Sequence, residues 1–270
     1  MKSPFNLTVQ IQTIDACNAK CYQCPYSYIY HAHKKMSDDV FTKLIYEIAL
    51  LGKKNIKFAM YLQNEPLMDN LLFKRVSFIK KIIPNSVFEI STNCLLLPKY
   101  YKLIEEFFDI IILSIQAWDA ESYNLIHRTN ISKEHFQKIL NTAHYLKDNK
   151  KDVFLKQFKP AITDGYEKRE VARWYKMKYS RAGFLTNNKI IKKEVHGCKG
   201  QKHKFINVLF DGSLILCCMD YIRETIYGNI KHQTLNNIYN SKLYKTYIGM
   251  VEGVTQSEPD FICKRCELSI

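Results

Sequence analysis

Three cysteines in the segment CNAKCYQCPY are the first residues whose types and spacing could do chemistry. Cys17, Cys21 and Cys24 form a C-x3-C-x2-C pattern on one short stretch. From the residues alone they could be a zinc site completed by His31 or His33, a redox pair with a third thiol beside it, or three ligands of an iron–sulfur cluster. A cluster with only three protein ligands keeps one iron free to bind another molecule.

Five more cysteines lie in the last third of the chain. They are Cys198, Cys217, Cys218, Cys263 and Cys266. Cys217 follows Gly212 after four intervening residues, and the last two cysteines form a C-x2-C pair. By spacing alone, a zinc ribbon of Cys198, Cys217, Cys263 and Cys266 is one interpretation. Cys218 is then an extra thiol, and a free cysteine most often packs as a small buried hydrophobe.

The composition indicates a globular protein with a full hydrophobic core. The chain has 270 residues, 47% of them hydrophobic, enough for one large domain or a large domain with a small appendage. No apolar run approaches the length of about 18 residues that spans a bilayer, and MKSPFNLTVQ lacks the apolar stretch of a secretory signal. We therefore expect a cytoplasmic protein without a membrane partner, whose nine cysteines serve as metal or redox ligands rather than disulfides.

The net charge of +14 comes from 40 Lys and Arg residues against 26 Asp and Glu residues. The lysines are spread through KKNIK, FIKK, KDNKK and IIKKE and do not form one basic stripe. Diffuse positive charge is typical of a solvated surface, so we expect no nucleic-acid partner. A zinc-binding or basic RNA-binding module without catalytic activity is the alternative of a different class.

Short apolar runs typical of strands alternate with longer helical runs over the first two thirds of the chain. The predicted strands are 5–14, 55–62, 87–91, 109–115, 152–158 and 183–187, and the predicted helices are 37–52, 69–83, 98–107, 132–149 and 166–182. Ser37 is the expected cap of the first helix. About six such units predict a parallel sheet, open or barrel-like, with helices outside. Functional loops then lie at the carboxyl ends of the strands, where the first cysteine loop falls.

The residues after Cys198 follow a different pattern. FINVLFDGSLILCC contains two β-type runs around an Asp-Gly pair, which predicts a hairpin. TLNNIYNSKLYKTYIGM then predicts a helix capped by Thr234. We therefore predict two domains, residues 1–190 and residues 191–270, of which the second is a small module of a hairpin and a helix.

The three amino-terminal cysteines, placed after the first strand of a βα-repeat chain, resemble the signature of the radical S-adenosylmethionine enzymes. The resemblance implies an α/β fold with a partial (β/α)6 barrel of parallel strands. It also implies that Cys17, Cys21 and Cys24 hold a [4Fe-4S] cluster whose fourth iron chelates S-adenosylmethionine. In this family an electron from the cluster cleaves the cofactor, and the resulting 5′-deoxyadenosyl radical takes a hydrogen atom from the substrate.

Segments after the next three strands also resemble this family. LQNEP resembles the Gly-Gly-Glu-Pro segment that receives the cofactor's ammonium, and Glu65 matches its glutamate. STNCLLL, with Ser91 and Asn93, resembles the segment near the ribose. In LSIQAWDAESYNLIHR the resemblance implies that Ser114 and Arg128 reach the ribose and the carboxylate of the cofactor.

Gln63 and Asn64 replace the two glycines of the Gly-Gly-Glu-Pro segment, and three further positions also depart from the family's pattern. Gln23 stands where an aromatic residue is usual, with Tyr22 one position earlier. Gln116 stands where an acidic residue is common in relatives that modify peptides. Cys94 stands where glycine is usual, and we interpret it as a structural residue.

The carboxyl-terminal cysteines resemble a second signature of the same superfamily. Their order, C then G-x4-C then C-x2-C, with GNI before the helix, resembles the shortened auxiliary-cluster module called a Twitch domain, which is SPASM-like. The resemblance implies that Cys198, Cys217, Cys263 and Cys266 hold a second [4Fe-4S] cluster, which passes electrons and does not hold substrate. For Cys218 it adds the alternative of a hydrogen-atom donor that quenches a substrate radical, as in peptide epimerases.

A second cluster makes sense when the substrate radical must lose another electron. The chain most resembles the aminocyclitol dehydrogenase type, which implies an oxidoreductase that removes two electrons from a secondary alcohol of a small polyol, sugar or aminocyclitol. The alternative is modification of a ribosomally made peptide, by epimerisation or by a thioether or carbon–carbon crosslink. A flavodoxin- or ferredoxin-type protein is the expected reductant. Lys156, His196 and Asp220 are the acid–base candidates.

Overall fold

An eight-stranded sheet organises the computed structural model, which describes residues 5–156, 180–185 and 191–270. The strands are β1 (Leu7–Ile11), β2 (Ile56–Ala59), β3 (Val87–Thr92), β4 (Ile110–Leu113), β5 (Val153–Leu155), β6 (Ile206–Val208), β7 (Ser213–Ile215) and β8 (Ile226–Asn229). Their order across the sheet is β5-β4-β3-β2-β1-β6-β7-β8. Neighbours from β5 to β6 pair in parallel, whereas β7 pairs antiparallel with both β6 and β8. The predicted α/β fold, a partial barrel of parallel strands with a carboxyl-terminal hairpin, is confirmed.

The sixth parallel strand comes from the carboxyl-terminal region and not from the predicted strand at 183–187. β6 lies beside β1, with Val9 aligned to Ile206. The described part of the predicted strand forms turns and a bend, and its last two positions lie outside the described ranges, as does most of the predicted helix before it. Residues 181–183 all have positive φ angles, a left-handed run that cannot continue as a strand. The strand prediction is therefore wrong at residues 183–185.

Seven α-helices accompany these strands in the described ranges. They are α1 (Asp38–Leu50), α2 (Leu72–Ile82), α3 (Leu97–Phe107), α4 (Ala120–His127), α5 (Lys133–Asn149), α6 (Leu235–Asn240) and α7 (Lys242–Glu252). Ser37 caps α1 as predicted. α4 was not predicted, although Asp119 and Ser122 form a reciprocal capping box at its start. The single helix predicted after Thr234 is two helices, because Ser241 has extended backbone and caps α7. None of the described helices is long and apolar enough to span a bilayer.

The two faces of the sheet differ in their chemistry. Val9, Phe58 and Phe88 are aligned on neighbouring strands and belong to the main hydrophobic core, which also includes buried side chains of α1, α2 and α3. Lys57 and Glu89 lie one residue away along the same strands, so their side chains point to the opposite face. The helices therefore cover an apolar outer face, and the inner face carries polar side chains.

A smaller hydrophobic cluster supports the carboxyl-terminal region. Its buried members are Ala182, Leu216, Val251, Phe261, Ile262 and Cys266. This cluster is separate from the main core, but β6, β7 and β8 continue the main sheet. The hairpin therefore connects the two regions, and the domain boundary after residue 190 stays a prediction.

Candidate functional site

The first cysteine loop follows β1 and is fastened to two neighbouring elements by backbone hydrogen bonds. The N–H of Glu65 donates to the carbonyl of Ala16 at 2.9 Å, which ties the loop after β2 to the cysteine loop. The N–H groups of Lys20 and Tyr22 donate to the last two carbonyls of α4, at 2.9 and 3.3 Å. Carbonyls at that end of a helix have no partner within the helix. The loop therefore caps α4, and the backbone holds the cysteines in place.

The thiols of Cys17, Cys21 and Cys24 lie close enough together to interact electrostatically. Burial, followed by the charges of Glu65 and Cys24, raises the pKa of Cys17 to about 12. Burial, followed by Cys24 and Cys17, raises the pKa of Cys21 well above its ordinary value. Acidic groups that raise one another's pKa in one buried site favour a bound cation. Three thiols in this arrangement fit the irons of a cluster, which take thiolate ligands.

His127 joins the cysteine loop to the segment after β4. Its Nε2 lies 2.9 Å from the carbonyl oxygen of Ile115, and its Nδ1 lies 3.2 Å from Cys21 Sγ. Burial lowers the pKa of His127 to about 4, so the ring is neutral: Nε2–H donates to the carbonyl and Nδ1 accepts from the thiol. The two partners are 106 residues apart in sequence, and no local pattern indicated their contact.

Glu65 is a buried carboxylate beside this loop. Its oxygens accept hydrogen bonds from Thr92 Oγ1 at 2.8 Å, from the N–H of Asn93 at 2.8 Å and from the N–H of Leu67 at 3.2 Å. Burial raises the pKa of Glu65 to about 7, although these bonds act in the opposite direction. A cation beside the carboxylate would lower that pKa and offset the cost of burying the charge. The site therefore fits the ammonium group that the resemblance implies.

Asn93 reaches the cysteine loop from the end of β3. Its Nδ2 donates to Asn18 Oδ1 at 2.7 Å and lies 3.9 Å from Cys17 Sγ. Ser91 is half-buried on β3, and Ser114 follows β4, where its N–H donates to the backbone of β3 at 2.9 Å. Of these three predicted cofactor contacts, Asn93 bonds the loop directly and the two serines lie at neighbouring strand ends.

Arg128 and Cys94 occupy left-handed backbone positions next to the site. Arg128 follows α4 with φ 53°, and its guanidinium lies 5.0 Å from the ring centre of Tyr22 in the cysteine loop. Cys94 has φ 74°, a conformation that glycine adopts without steric cost, which explains why glycine is usual in the family here. The side chain of Cys94 is fully buried, in keeping with a structural role.

Two of the departures from the family pattern, Gln23 and Gln116, lie next to each other in the structure. The side-chain amide of Gln23 donates through Nε2 to Oε1 of Gln116. Gln23 is buried, and its own Oε1 has no hydrogen-bond partner within the described part of the chain. The bond connects the neighbour of Cys24 with the segment after β4, 93 residues further along the sequence.

The four predicted ligands in the carboxyl-terminal region line one cavity. Cys198, Cys217, Cys263 and Cys266 share it with His203, Ser269 and five apolar residues, Leu216, Met219, Val251, Ile262 and Leu268. Cys217 follows β7, and Cys263 lies in the short 3-10 helix Ile262–Arg265. Burial, followed by Cys266 and Cys198, raises the pKa of Cys263 to about 12. Four thiols around one cavity fit a [4Fe-4S] cluster in which every iron has a protein ligand.

Neither group of thiols gathers around a single point. Within residues 5–156, 180–185 and 191–270, no three His, Cys, Asp or Glu side chains are close enough to hold one metal ion. A [4Fe-4S] cluster attaches each cysteine to a different iron, so its ligands do not need to converge. The two donor sets are compatible with this finding.

The two cysteine sites are in contact with each other. The thiol of Cys24 lies 3.8 Å from the hydroxyl oxygen of Tyr221, in the loop after β7. Arg181 Nε donates to the carbonyl of Gln23 at 3.2 Å, and its Nη1 lies 3.9 Å from Met219 Sδ. The loop after β7, which carries Cys217 of the second site, therefore packs against the first cysteine loop.

Among the candidate catalytic residues, Cys218 and Lys156 lie near the same two cations. A hydrogen bond with Cys217, followed by the charges of Lys202 and Arg181, lowers the pKa of Cys218 to about 7 against the effect of burial. Partial burial and then Arg181 lower the pKa of Lys156, which follows β5. Lys202 also acts on Lys156, so these groups form one charged region.

Asp220 and His196 are committed to other contacts. Asp220 is fully buried, and its carboxylate accepts from the N–H of Glu224 at 3.0 Å and from the N–H and hydroxyl of Thr225 at 2.8 and 2.6 Å. These bonds shape the loop after β7. His196 is exposed and lies 3.2 Å from Glu194. The acid–base roles of Asp220 and His196 stay predictions, with no contact that supports them.

A polar network on the inner face was not among the predicted site residues. Lys57 Nζ donates to Glu89 Oε2 at 2.8 Å, and the hydroxyl of Tyr61 donates to Oε1 of the same carboxylate. Glu89 is buried, and its charge also acts on Lys156. The alternation in NIKFAMYL and VFEIS was the available signal, because it separates Lys57 and Glu89 from the apolar residues beside them.

Family models match most of the chain. A model described as the Radical SAM superfamily matches residues 11–166, and a SPASM model, described as an iron-sulfur cluster-binding domain, matches residues 198–267. A comparison with curated protein sequences found no match.

Solved structures of similar fold cover nearly the whole chain. BtrN in complex with AdoMet and 2-DOIA has a TM-score of 0.66 and 18% identity, over 94% of this chain and 89% of that one. The anSMEcpe structure with bound AdoMet and Kp18Cys peptide has a TM-score of 0.60 and 17% identity, over 97% and 86%. SuiB of Streptococcus suis bound to precursor peptide SuiA has a TM-score of 0.52 and 14% identity, over 97% and 70%. At these identities the similarity shows the fold.

Proposed function

Because the chain belongs to the radical SAM superfamily, and carries a SPASM iron–sulfur domain, we propose that it oxidises a secondary alcohol of a small polyol, sugar or aminocyclitol by two electrons. The family makes the protein an enzyme whose cofactors are S-adenosylmethionine, a [4Fe-4S] cluster and a further iron–sulfur cluster. When bound, these cofactors supply an electron that cleaves S-adenosylmethionine, a 5′-deoxyadenosyl radical that removes a substrate hydrogen atom, and an acceptor for the remaining electron.

We propose a role for each group of predicted site residues. Cys17, Cys21 and Cys24 hold the first cluster, and Cys198, Cys217, Cys263 and Cys266 hold the further cluster as a [4Fe-4S] centre. Glu65 binds the ammonium of S-adenosylmethionine, and Arg128 binds its carboxylate as a guanidinium fork. Ser91, Asn93 and Ser114 contact the ribose.

The contact between the two cysteine sites is the observation that carries the proposal. Tyr221 reaches Cys24 at 3.8 Å, and Arg181 bonds to the backbone of one loop while lying beside Met219 in the other. A substrate bound next to this contact would lie near both the hydrogen acceptor and the electron acceptor. An oxidation that removes a hydrogen atom and then an electron needs this proximity.

The proposed oxidation removes a hydrogen atom from the carbon, a proton from the oxygen and one electron, which together leave a ketone. The proton needs an acceptor on the chain. Lys156 is the candidate, because its lowered pKa increases the fraction of neutral amine. Glu89 belongs to the same charged region as Lys156, because its carboxylate acts electrostatically on Lys156 and accepts a hydrogen bond from Tyr61. Asp220 stays a predicted acid–base residue, although its carboxylate already accepts hydrogen bonds from Glu224 and Thr225.

Modification of a ribosomally made peptide is the second candidate function. Cys218 favours it, because this thiol lies next to the proposed ligand Cys217 and has no ligand role of its own. A free thiol near a substrate radical can return a hydrogen atom to it. The similarity to anSMEcpe and SuiB, both solved with peptides, supports this candidate as well.

Deuterated substrates distinguish the two candidates. Anaerobically reconstituted protein would be incubated with dithionite and S-adenosylmethionine, and either with polyols and aminocyclitols labelled at the carbinol carbons or with peptides labelled at the α-carbons. We expect deuterium from a carbinol carbon in 5′-deoxyadenosine, together with a ketone product. Label that comes only from peptides would replace the oxidation with peptide modification. The Cys17→Ala, Cys21→Ala, Cys24→Ala triple variant is the control without cleavage.

A further inference from the structure

His203 is a buried histidine in the wall of the four-cysteine cavity. It lies in the short 3-10 helix Lys202–Lys204, and 7% of its surface is exposed. Neither Nδ1 nor Nε2 has a hydrogen-bond partner in the described part of the chain. A buried polar group without a partner keeps the full cost of its desolvation, so such groups are rare in folded proteins. The ring is therefore placed to bond something that occupies the cavity.

The nearest charged group does not satisfy the ring. Glu252 Oε1 lies 3.8 Å from His203 Nε2, beyond the range of a hydrogen bond, and the Glu252 side chain is about half exposed. Burial, followed by the charge of Lys204, lowers the pKa of His203, and Glu252 only partly opposes this shift. The ring is neutral at neutral pH and carries one N–H donor.

The other side chains around the cavity offer no comparable donor. Apart from the four cysteines and His203, Ser269 is the polar residue in the described wall, and its hydroxyl already donates to the carbonyl of Cys266 at 3.0 Å. Lys192 Nζ donates to the same hydroxyl at 2.7 Å. The remaining side chains of the wall are apolar. His203 therefore lines this cavity with ring nitrogens that have no partner in the described part of the chain, together with four cysteine sulfur atoms that can accept a hydrogen bond.

We propose that His203 donates its ring N–H to a sulfur of the cluster held in this cavity, either an inorganic sulfide or a cysteine thiolate. The inference rests on the proposed assignment of the second cluster to the four cysteines. Hydrogen bonds to cluster sulfurs stabilise the more negative, reduced state and raise the reduction potential. His203 therefore makes the second cluster a better acceptor for the electron that leaves the substrate.

The reduction potential of the second cluster tests this role directly. The Cys17→Ala, Cys21→Ala, Cys24→Ala background leaves only the second cluster, whose potential can be followed by redox titration with electron paramagnetic resonance. We expect His203→Phe, which keeps a flat ring and removes the donor, to make the cluster at least tenfold harder to reduce, a shift of about 59 mV for one electron. His203→Gln, which keeps an N–H donor, should recover part of the shift. His232→Phe, at an exposed histidine of the same region, should leave the potential unchanged.

A spectroscopic measurement keeps the inference testable if the Phe variant loses its cluster. With 15N-labelled histidine in the same background, the reduced cluster should show a weak nitrogen hyperfine coupling that disappears in His203→Gln. A strong coupling, typical of a nitrogen bound to iron, would overturn the inference in favour of direct ligation. No coupling, or an unchanged potential in His203→Phe at full iron content, would overturn it as well.

These results are separable from those that test the proposed oxidation. The reduction potential and the nitrogen coupling are measured without any substrate, so their values do not depend on which alcohol or peptide the enzyme uses. A protein that holds zinc and no iron in the four-cysteine cavity would overturn the ligand assignment and this inference together, while the first site would still cleave S-adenosylmethionine.

Discussion

The two cysteine sites lie in contact but have different surroundings. Beside the three thiols of the first site lie a carboxylate, an amide and an imidazole, from Glu65, Asn93 and His127. The four thiols of the second site share a cavity with apolar side chains, Ser269 and His203, whose ring nitrogens have no hydrogen-bond partner among the described residues. A carboxylate with neutral hydrogen-bonding groups, and the Arg128 guanidinium 5.0 Å from the ring centre of Tyr22 in the same loop, suit an organic zwitterion such as S-adenosylmethionine. A cavity lined mainly by apolar side chains and thiols suits a group that only gains and loses electrons.

The two sites also differ in how the chain holds them. The first is a single loop that caps α4. The second joins distant segments, because residues near Cys198 pair with the chain end: the N–H of Lys199 donates to the carbonyl of Leu268 at 2.8 Å, and the N–H of Ile270 to that of Gly197 at 3.0 Å. Ligand loss at one site should therefore leave the other site folded.

The largest expected effect is at the first site. Replacing Cys17, Cys21 and Cys24 together by Ala should abolish formation of 5′-deoxyadenosine, because the thiol of Cys94, which also lies near Glu65, is fully buried and cannot replace three cluster ligands. Iron per chain should fall to about half, since a second four-iron cluster remains. Chromatography of the nucleoside products and an iron assay measure both.

Cys94→Gly is the matched control for that variant. It removes a buried thiol of the same region and introduces the residue best suited to φ 74°. This variant should keep both its iron and its cleavage activity. Cleavage of S-adenosylmethionine by the triple variant would contradict the assignment of that reaction to the first site.

Loss of the second cluster should stop oxidation of the substrate but not cleavage of S-adenosylmethionine. Replacing Cys263 and Cys266 by Ser should remove the second cluster and abolish ketone formation, while uncoupled cleavage of S-adenosylmethionine continues. The reason is that the electron acceptor is lost while the first loop keeps its own anchors. Cys218→Ala should keep its full iron content. If the Cys263 and Cys266 variant also stopped cleaving the cofactor, the second site would have to be part of the first site's structure.

A smaller and graded effect is expected at Glu65. The carboxyl group of the free protein has a pKa of about 7, and it must be ionised to pair with the ammonium. Affinity for S-adenosylmethionine should therefore be constant above that pKa and fall by about tenfold for each pH unit below it. Equilibrium dialysis of the cluster-loaded protein from pH 6 to pH 8 measures the dependence.

Glu65→Gln is the control that shows whether Glu65 causes the pH dependence of the affinity for S-adenosylmethionine. It keeps the shape of the side chain and removes the charge, which should lower affinity at pH 8 by about ten- to a hundredfold, the effect of losing a charged hydrogen bond of about 1.5–3 kcal/mol. The pH dependence below the pKa should disappear. The same slope in the variant as in the parent protein would assign the titration to another group.

Local patterns predicted those parts of the molecule that local interactions determine. The alternation of strands and helices located β1 to β5, and the cysteine spacing identified both groups of thiols. The parallel pairing of β6 with β1 was not predicted, because the Asp-Gly turn determines only how β6 meets β7, while Val9 and Ile206 are far apart in sequence. The contact of His127 with Cys21 was missed for the same reason.

The hydrogen bond between Gln23 and Gln116 shows most clearly what a single sequence hides. Each residue by itself is a departure from the family's pattern, and nothing in either segment connects them. In three dimensions the two departures bond to each other. A bond between positions 93 residues apart becomes visible only when the fold brings the two segments together.

This bond carries the smallest expected effect, and a double-mutant cycle isolates it from every other contact of the two residues. Gln23→Met and Gln116→Met keep unbranched side chains of similar length and remove the amides. Each should lower the free energy of unfolding by about 1 kcal/mol, and the double variant should lose about 0.5–1.5 kcal/mol less than the sum. Urea unfolding of the four proteins measures the coupling.

The exposed pair Gln137 and Asn141 on α5, bonded at 2.8 Å, is the control and should couple by about 0.2–0.5 kcal/mol. Equal coupling energies at the two pairs would mean that the buried Gln23–Gln116 bond stabilises the protein no more than a bond on an exposed helix surface. That result would weaken the contrast between the polar surroundings of the first site and the apolar wall of the second site.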